Sequence, residues 1–294
     1  MKRVAFITGA SGFLGSHLAK QLLSQDWVVH IIVRPNSGLQ QLKSIRDMVN
    51  VHVLNGELSS LIEILKEARP DVVFHLASLF ISEHKPEDVS SLILSNVLFS
   101  SSLLEAMNLA GIKNIVNTGT AWQNYFGQLY DPVNLYAATK QAFQDILSYY
   151  VYAQNFNSIT LKLCDTYGPN DPRRKLIKLL INAARSREEL VLSPGDQEID
   201  FLHVDDVVRA FIVAAEKLLT EYSRDSVYSI SSGRPITIKA LVGEIENLLG
   251  LKIPIVWGGR PYRDREVMKA LPTEPSLPNW KPIIELRVGL KGCQ

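Results

Sequence analysis

Arg3-Val4-Ala5-Phe6-Ile7-Thr8-Gly9-Ala10-Ser11-Gly12-Phe13-Leu14-Gly15 is the stretch whose reading decides the fold. A short apolar run meets three glycines at spacing three, and residues 14–24 continue as a helix former. The pattern predicts a strand, a tight turn and a helix N-terminus. Glycine lets the backbone approach a pyrophosphate closely, and the free amides of a helix's first turn bind it. Gly9, Ser11, Gly12, Phe13, Leu14 and Gly15 are therefore candidate contacts to a dinucleotide. Three glycines also make a plain turn. Their position at the first strand–helix junction, and Tyr136-Ala137-Ala138-Thr139-Lys140 downstream, favour the cofactor reading.

The alternation begun at residue 4 continues. Apolar, mostly β-branched runs at 4–7, 28–33, 51–54, 72–76, 112–116 and 158–163 read as strands. Helix-forming segments at 14–24, 39–48, 61–68, 92–109 and 135–152 lie between them. Strands apolar throughout are buried on both faces. Strand–helix alternation implies a parallel sheet with right-handed crossovers. The expected fold is α/β: a Rossmann-type doubly wound parallel sheet with a smaller C-terminal substrate-binding lobe. After about residue 165 the rhythm breaks. Tyr167-Gly168-Pro169-Asn170-Asp171-Pro172 reads as a loop, a basic helix is expected over 173–187, and Pro and Gly concentrate in the tail. Residues 1–165, with returns near 199–217, are expected to form the dinucleotide-binding domain. The remaining segments of 166–294 would form the lobe.

Bulk properties exclude several classes. Lys and Arg number 31 against 30 Asp and Glu, so no basic excess argues for nucleic acid. The apolar run after Lys2-Arg3 is too short for a signal-peptide core. No uninterrupted apolar run approaches the ~20 residues of a membrane span. Two cysteines, Cys164 and Cys293, make a disulfide framework implausible, and a reducing, cytoplasmic compartment is the expectation. The six histidines form no ligand pair at helical or turn spacing, so no metal site is expected.

The second strand ends in Arg34-Pro35-Asn36-Ser37, where an NAD site usually places an acid for the ribose hydroxyls. A guanidinium binds a 2′-phosphate well, so Arg34 points to NADP(H). A solvated surface arginine is the plainer alternative. Tyr136 and Lys140 stand at i and i+4, on one helix face. An ammonium beside a phenol is expected to lower its pKa from ~10 towards the working pH, preparing it for proton transfer. The fifth strand ends in Asn117-Thr118-Gly119-Thr120-Ala121-Trp122, at the end of the sheet where ligands bind. Thr120 is the candidate to hydrogen-bond a substrate carbonyl, and Thr118 the fallback. Thr118 alternatively closes the strand with a local turn.

These motifs, in this order, resemble the extended short-chain dehydrogenase/reductases, specifically the nucleotide-sugar epimerase/dehydratase/reductase group. The likeness covers nearly the whole chain. Thr8–Gly15 resembles the group's glycine motif, His75-Leu76-Ala77 its fourth-strand motif, Asn96-Val97 its asparagine segment, and Tyr136–Lys140 its catalytic pair. Tyr167-Gly168-Pro169, the segment 200–206 and Trp280-Lys281-Pro282 resemble later signatures. The resemblance implies that Thr120, Tyr136 and Lys140 are catalytic. It places Leu76, Ala77 and Asn96 on the cofactor side, Asn96 supporting the active-site loops. Asp165, Thr118, Arg260 and Arg263 would meet the substrate, with Arg260 favoured for the diphosphate and Arg265 a further candidate. Arg173, Arg174, Lys175 and Lys178 either approach that diphosphate or form a solvated helix face.

Departures refine the expectation. Sugar dehydratases carry Thr-Asp-Glu after the fifth strand, whereas this chain has Thr120-Ala121-Trp122. Epimerases that keep NAD use the acid that Arg34 replaces. Ile199 stands where the group often has arginine. The remaining reading is an NADPH-dependent reductase of the C4 ketone of a nucleotide-activated deoxysugar. Residues 117–123 and 135–143 look particularly like the 4-reductases of CDP-4-keto-3,6-dideoxyglucose, the CDP-abequose synthase type, which serve O-antigen synthesis. The alternatives are a 4-epimerase with tightly bound NAD, a dinucleotide-sensing protein without chemistry, and a reductase of small aromatic ketones. A homodimer through 92–109 and 135–152 is implied by the resemblance.

Overall fold

The computed structural model describes residues 2–293. In chain order its elements are β1 (Val4–Thr8), α1 (Phe13–Ser24), β2 (Val28–Val33), β3 (Asn50–Val53), α2 (Leu58–Ala68) and β4 (Val72–His75). Next come α3 (Asp88–Ile93), α4 (Phe99–Leu109), β5 (Asn114–Thr120), α5 (Leu135–Gln154), β6 (Asn157–Leu163) and β7 (Asp165–Tyr167). Then follow α6 (Leu176–Ser186), β8 (Leu190–Leu192), β9 (Glu198–Ile199), β10 (Phe201–His203), α7 (Val204–Thr220) and β11 (Asp225–Ile230). The chain ends with β12 (Ile236–Thr237), α8 (Ile238–Leu249), β13 (Ile255–Trp257) and α9 (Leu286–Lys291).

Seven strands form one sheet in the order β11-β6-β5-β4-β1-β2-β3, every pair parallel. This is the expected doubly wound α/β fold. The order reverses between β1 and β4, opening a crevice at the strands' C-terminal ends where such sheets bind ligands. One face of the sheet is covered by a core containing Leu18, Leu22, Phe211 and Ala215 from α1 and α7. The other is covered by Leu61, Leu103, Met107 and Phe143 from α2, α4 and α5. Central strands are apolar on both faces because both are packed. A third core, with Leu180, Ile181, Leu241 and Ile245, joins α6 to α8 in the smaller lobe. Three two-stranded pairs, β7–β10, β9–β12 and β8–β13, accompany it.

Some local readings change. Residues 40–48 form 3-10 turns rather than an α-helix. Their inward residues, Leu42 and Ile45, are three apart, which matches three residues per turn. The helix expected over 173–187 begins only at Leu176, because Arg173 and Lys175 belong to the preceding loop. Edge strand β11, half-exposed along most of its length, was not anticipated. α3 runs through a π turn at Leu94–Leu98 into α4. The continuous helix Asp88–Leu109 has the length and mean hydropathy of a span, although polar residues such as Ser95, Asn96 and Glu105 interrupt its apolar run. Its inner side, including Leu92, Leu103, Leu104 and Met107, is buried in the domain core.

Candidate active site

A cavity of about 350 Å³ opens at the C-terminal ends of β1, β4, β5 and β6. Gly9, Gly12, Phe13, Leu14 and Gly15 line it on one side, and Thr118, Thr120, Tyr136 and Lys140 on another. Sequence-distant motifs thus face one space.

The glycine turn is built for close approach. Gly9 has φ +75, and a Cβ there would lie 2.6 Å from the Ala77 amide nitrogen. A Cβ on Gly15 would lie 2.3 Å from the Gly9 carbonyl oxygen. Gly12 caps α1 without a side chain, and the first turn carries no acid. The first long helical bond there is from Ser16 N–H to the Gly12 carbonyl, 3.0 Å. The amides of Phe13, Leu14 and Gly15 precede it, leaving donors at the positive end of the helix dipole. A dinucleotide's pyrophosphate fits this donor set.

Beneath the turn, the Ala77 amide donates to Thr8 Oγ1 at 3.1 Å, and the same oxygen lies 2.8 Å from His75 Nδ1. His75 Nε2 lies 2.9 Å from Ser100 Oγ. His75 is fully buried. Burial, helped by the Lys140 charge, pulls its imidazole down to about 3. Neutral His75 therefore ties the floor of the glycine turn to the helix behind it.

Asn96 is buried behind the cavity rather than lining it. Its Oδ1 accepts from the Leu79 amide at 2.7 Å, and its Nδ2 donates to the Leu79 carbonyl at 2.9 Å and to Thr139 Oγ1 at 3.0 Å. The expected cofactor-side residue is thus a brace between the 78–80 loop and α5. The π turn Leu94–Leu98, which carries Asn96, fits such a role, since π bulges gather at functional sites. Ala77 and Ser11 stand at the turn without lining the cavity; Leu76 lines it.

Tyr136 and Lys140 share the first turns of α5, capped by Asn134 Oδ1 accepting from the Ala137 amide. Tyr136 is half-buried and Lys140 buried. Here the sequence expectation is corrected. Burial pushes the Tyr136 phenol up to about 12, outweighing the lowering by its Ser78 hydrogen bond and by the Arg173 charge. Burial alone pulls the Lys140 ammonium down to about 8. Desolvation dominates both shifts, because the ion itself is the costly species in a dry cleft. At neutral pH the phenol keeps its proton and the lysine its charge. Ser78 was not anticipated from the sequence.

The two threonines separate by their hydrogen bonds. Thr118 Oγ1 donates to the His75 carbonyl at 2.8 Å, which commits its proton to bridging β5 and β4. Thr120 Oγ1 accepts from the Trp122 amide at 3.3 Å, and the Gln123 side chain accepts from the Thr120 amide at 2.9 Å. The Thr120 O–H remains available to a ligand.

Arg34 is exposed, two residues past the Thr8↔Ile32 pair, and makes no ion pair among the described residues. Its backbone joins Ser37, whose Oγ accepts from the Arg34 amide at 3.1 Å. Its place at the end of β2 is where an adenosine ribose lies in this fold class.

The lobe supplies the opposite wall. Arg263 lines the cavity, held by Glu266 at 2.7 and 3.0 Å and lying 5.3 Å over the Trp122 ring. Arg260 does not join it. It is exposed past the Trp257–Gly258 turn, and its amide donates to the Leu192 carbonyl. Arg265 turns to Asp131 and the Tyr125 ring. Arg173 and Lys175 do line the cavity, whereas Arg174 and Lys178 do not. Arg173 lies 4.6 Å over the Phe13 ring, and Lys175 pairs with Asp165 at 2.9 Å. Arg173 and Lys175 from one loop and Arg263 from a distant segment thus face one cavity. Lys162 was also missed. It is buried beside β5, bonded to Asn124 Oδ1 at 2.6 Å and Glu274 Oε1 at 2.5 Å.

A glycine turn on β1, a Tyr–Lys pair on α5 and a threonine ending β5 define an extended short-chain dehydrogenase/reductase. The chain belongs to the NAD dependent epimerase/dehydratase family, whose model matches residues 5–230. It is 28% identical to CDP-abequose synthase of Yersinia pseudotuberculosis over 265 residues, 89% of each chain. It is also 28% identical to UDP-glucose 4-epimerase of Mycolicibacterium smegmatis over 234 residues, 71% of this chain and 72% of that one. The solved structure of MoeE5 in complex with UDP-glucuronic acid and NAD superposes with a TM-score of 0.82 at 25% identity, covering 98% and 97% of the two chains.

Proposed function

We propose that this enzyme uses NADPH to reduce the C4 ketone of a nucleotide-activated deoxy-4-ketosugar of the CDP-4-keto-3,6-dideoxyglucose type, in dideoxysugar synthesis for O-antigen polysaccharide. The observation that carries the reading is the makeup of the reacting corner. A protonated phenol, a threonine O–H free to donate and a charged lysine face the cavity, and the turn after Thr120 carries Ala121 and Trp122 instead of carboxylates. The likeness to CDP-abequose synthase supports the choice of substrate.

In this reading residues 1–165, with returns from later in the chain, hold the cofactor, and the lobe holds the nucleotide sugar. The amides of Phe13 to Gly15 hold the pyrophosphate, Arg34 the 2′-phosphate and Lys140 the nicotinamide ribose. NADPH, when bound, supplies the hydride to C4. Thr120 and Tyr136 hydrogen-bond the C4 oxygen and stabilise its developing charge. Tyr136 then gives that oxygen its proton. Positioned acid catalysis contributes ~10²–10⁴-fold. A phenol held protonated suits donation. Arg173, Lys175 and Arg263 meet the diphosphate.

A homodimer is part of the proposal. Ile93, Leu94 and Leu98 on the helix Asp88–Leu109 and Tyr149 and Tyr152 on α5 are 42–60% exposed, an apolar surface suited to a second copy.

The test is NADPH oxidation with CDP-, dTDP-, GDP- and UDP-4-ketosugars. Net oxidation with a CDP-ketosugar supports the reading. NAD that co-purifies, no net oxidation with any ketosugar, and inversion at C4 of a supplied nucleotide-hexose alcohol identify the epimerase instead.

A further inference from the structure

We propose that Gln123 is a positioning residue for the reduction: its buried carboxamide ties the end of β5 to α5 and so sets the Thr120 hydroxyl beside the Tyr136 phenol. The inference rests on the reductase reading above and deepens it. The two groups offered to the C4 oxygen come from different elements. Thr120 ends β5, and Tyr136 stands in the first turn of α5. Residues 121–134 join them irregularly, with Phe126, Gly127 and Tyr130 at positive φ. A displacement of ~1 Å between reacting groups costs ~10²-fold in rate, so the two elements need a fixed tie.

Gln123 supplies that tie. Its side chain is fully buried. Its Oε1 accepts from the Thr120 amide at 2.9 Å. Its Nε2 donates to Gln141 Oε1 and to Gln144 Oε1, each at 2.9 Å. Gln141 directly follows Lys140, and Gln144 lies about one turn further along α5. The direction of these bonds is set from the helix. Asp145 Oδ1 accepts from Gln141 Nε2 at 3.0 Å, and a carboxylate only accepts, so the Gln141 oxygen is left facing Gln123. That oxygen takes the Gln123 nitrogen, which leaves the Gln123 oxygen for Thr120. Gly119 makes the room, since a Cβ there would lie 2.9 Å from Gln123 Oε1 and 3.0 Å from Lys162 Cγ. Gln123, Gln141 and Gln144 do not line the cavity, so Gln123 acts on the substrate through Thr120.

The experiment measures kcat and KM for NADPH oxidation with CDP-4-keto-3,6-dideoxyglucose in wild type, Gln123→Met, Thr120→Val and the double variant, with a urea melt of each. Gln123→Met keeps the length of the side chain and loses its hydrogen bonds. It should lower kcat by ~10–10²-fold with KM for NADPH unchanged. Thr120→Val removes one donor to the developing charge and should cost ~10²–10³-fold in kcat. The double variant should be no slower than Thr120→Val alone, because no hydroxyl is left to position. Gln141→Met combined with Gln144→Met, at half-buried helix positions, should repeat the pattern and keeps the test alive if Gln123→Met does not fold. Losses that multiply when Thr120→Val is added mark a merely structural role and overturn the inference, as does an unchanged kcat without the Gln123 hydrogen bonds. Either result leaves the reductase reading standing, because the wild type still oxidises NADPH. No NADPH oxidation by the wild type overturns both.

Discussion

Raising the pH should switch this enzyme off while making it more stable, and one buried lysine is responsible for both. Lys140 is buried, and its ammonium is pulled down to about 8. The profile of kcat/KM reports groups of the free enzyme. Above about pH 8 the charged fraction of Lys140 falls, so kcat/KM for NADPH should drop close to tenfold per unit. Stability moves the other way. A lysine ionises near 10.5 when exposed, so between about 8 and 10.5 the unfolded chain binds more protons than the folded one. Stability therefore rises with pH through that window. The gain attributable to Lys140 is roughly 1 kcal/mol between about pH 8 and pH 9, and approaches about 3 kcal/mol across the window. Tyr136 opposes it only above its unfolded value of 10.0. The assay is paired: kcat/KM profiles, and urea melts of wild type and Lys140→Met at matched pH, so that other titrations cancel. A flat activity profile through pH 9, or a wild-type minus variant stability gap that does not change, would refute the reasoning.

Arg34→Ala should raise KM for NADPH on the order of tenfold with little change for NADH, as expected for one lost charge-assisted contact; equal losses with both cofactors contradict a 2′-phosphate role. His75, held neutral in the folded state, should destabilise the protein as pH falls below 6.5, by about 2–3 kcal/mol near pH 4.5. His75→Asn should lose that part of the acid sensitivity in denaturant melts, and an unchanged pH dependence would count against it. Replacing Leu94 and Leu98 together by aspartate should yield monomers in sedimentation, whereas a persisting dimer would place the interface elsewhere.

The sheet was legible because its central strands are buried on both faces, which forces continuous apolar runs such as Val72-Val73-Phe74. β11 was not, because an edge strand with the sequence Asp-Ser-Val-Tyr-Ser-Ile carries no such run. Local spacing also gave the Tyr136–Lys140 pair and the glycine turn. It misjudged the phenol's acidity, because spacing does not show the desolvation that raises it. Arg173 and Arg263 are 90 residues apart in the chain yet line one cavity, and nothing local distinguishes Arg263 from the exposed Arg260. The Phe80–Trp122 contact likewise exists only once β4 and β5 are adjacent.

Transfer of deuterium from NADPH labelled at the nicotinamide C4 to the sugar, read by NMR of the product, tests the central claim most directly. The account predicts one deuterium at C4 of the reduced CDP-sugar for each NADP⁺ formed, and a loss of ~10²-fold or more in that rate for Tyr136→Phe with NADPH binding retained. An unlabelled, unreduced ketosugar with the cofactor unconsumed would contradict it.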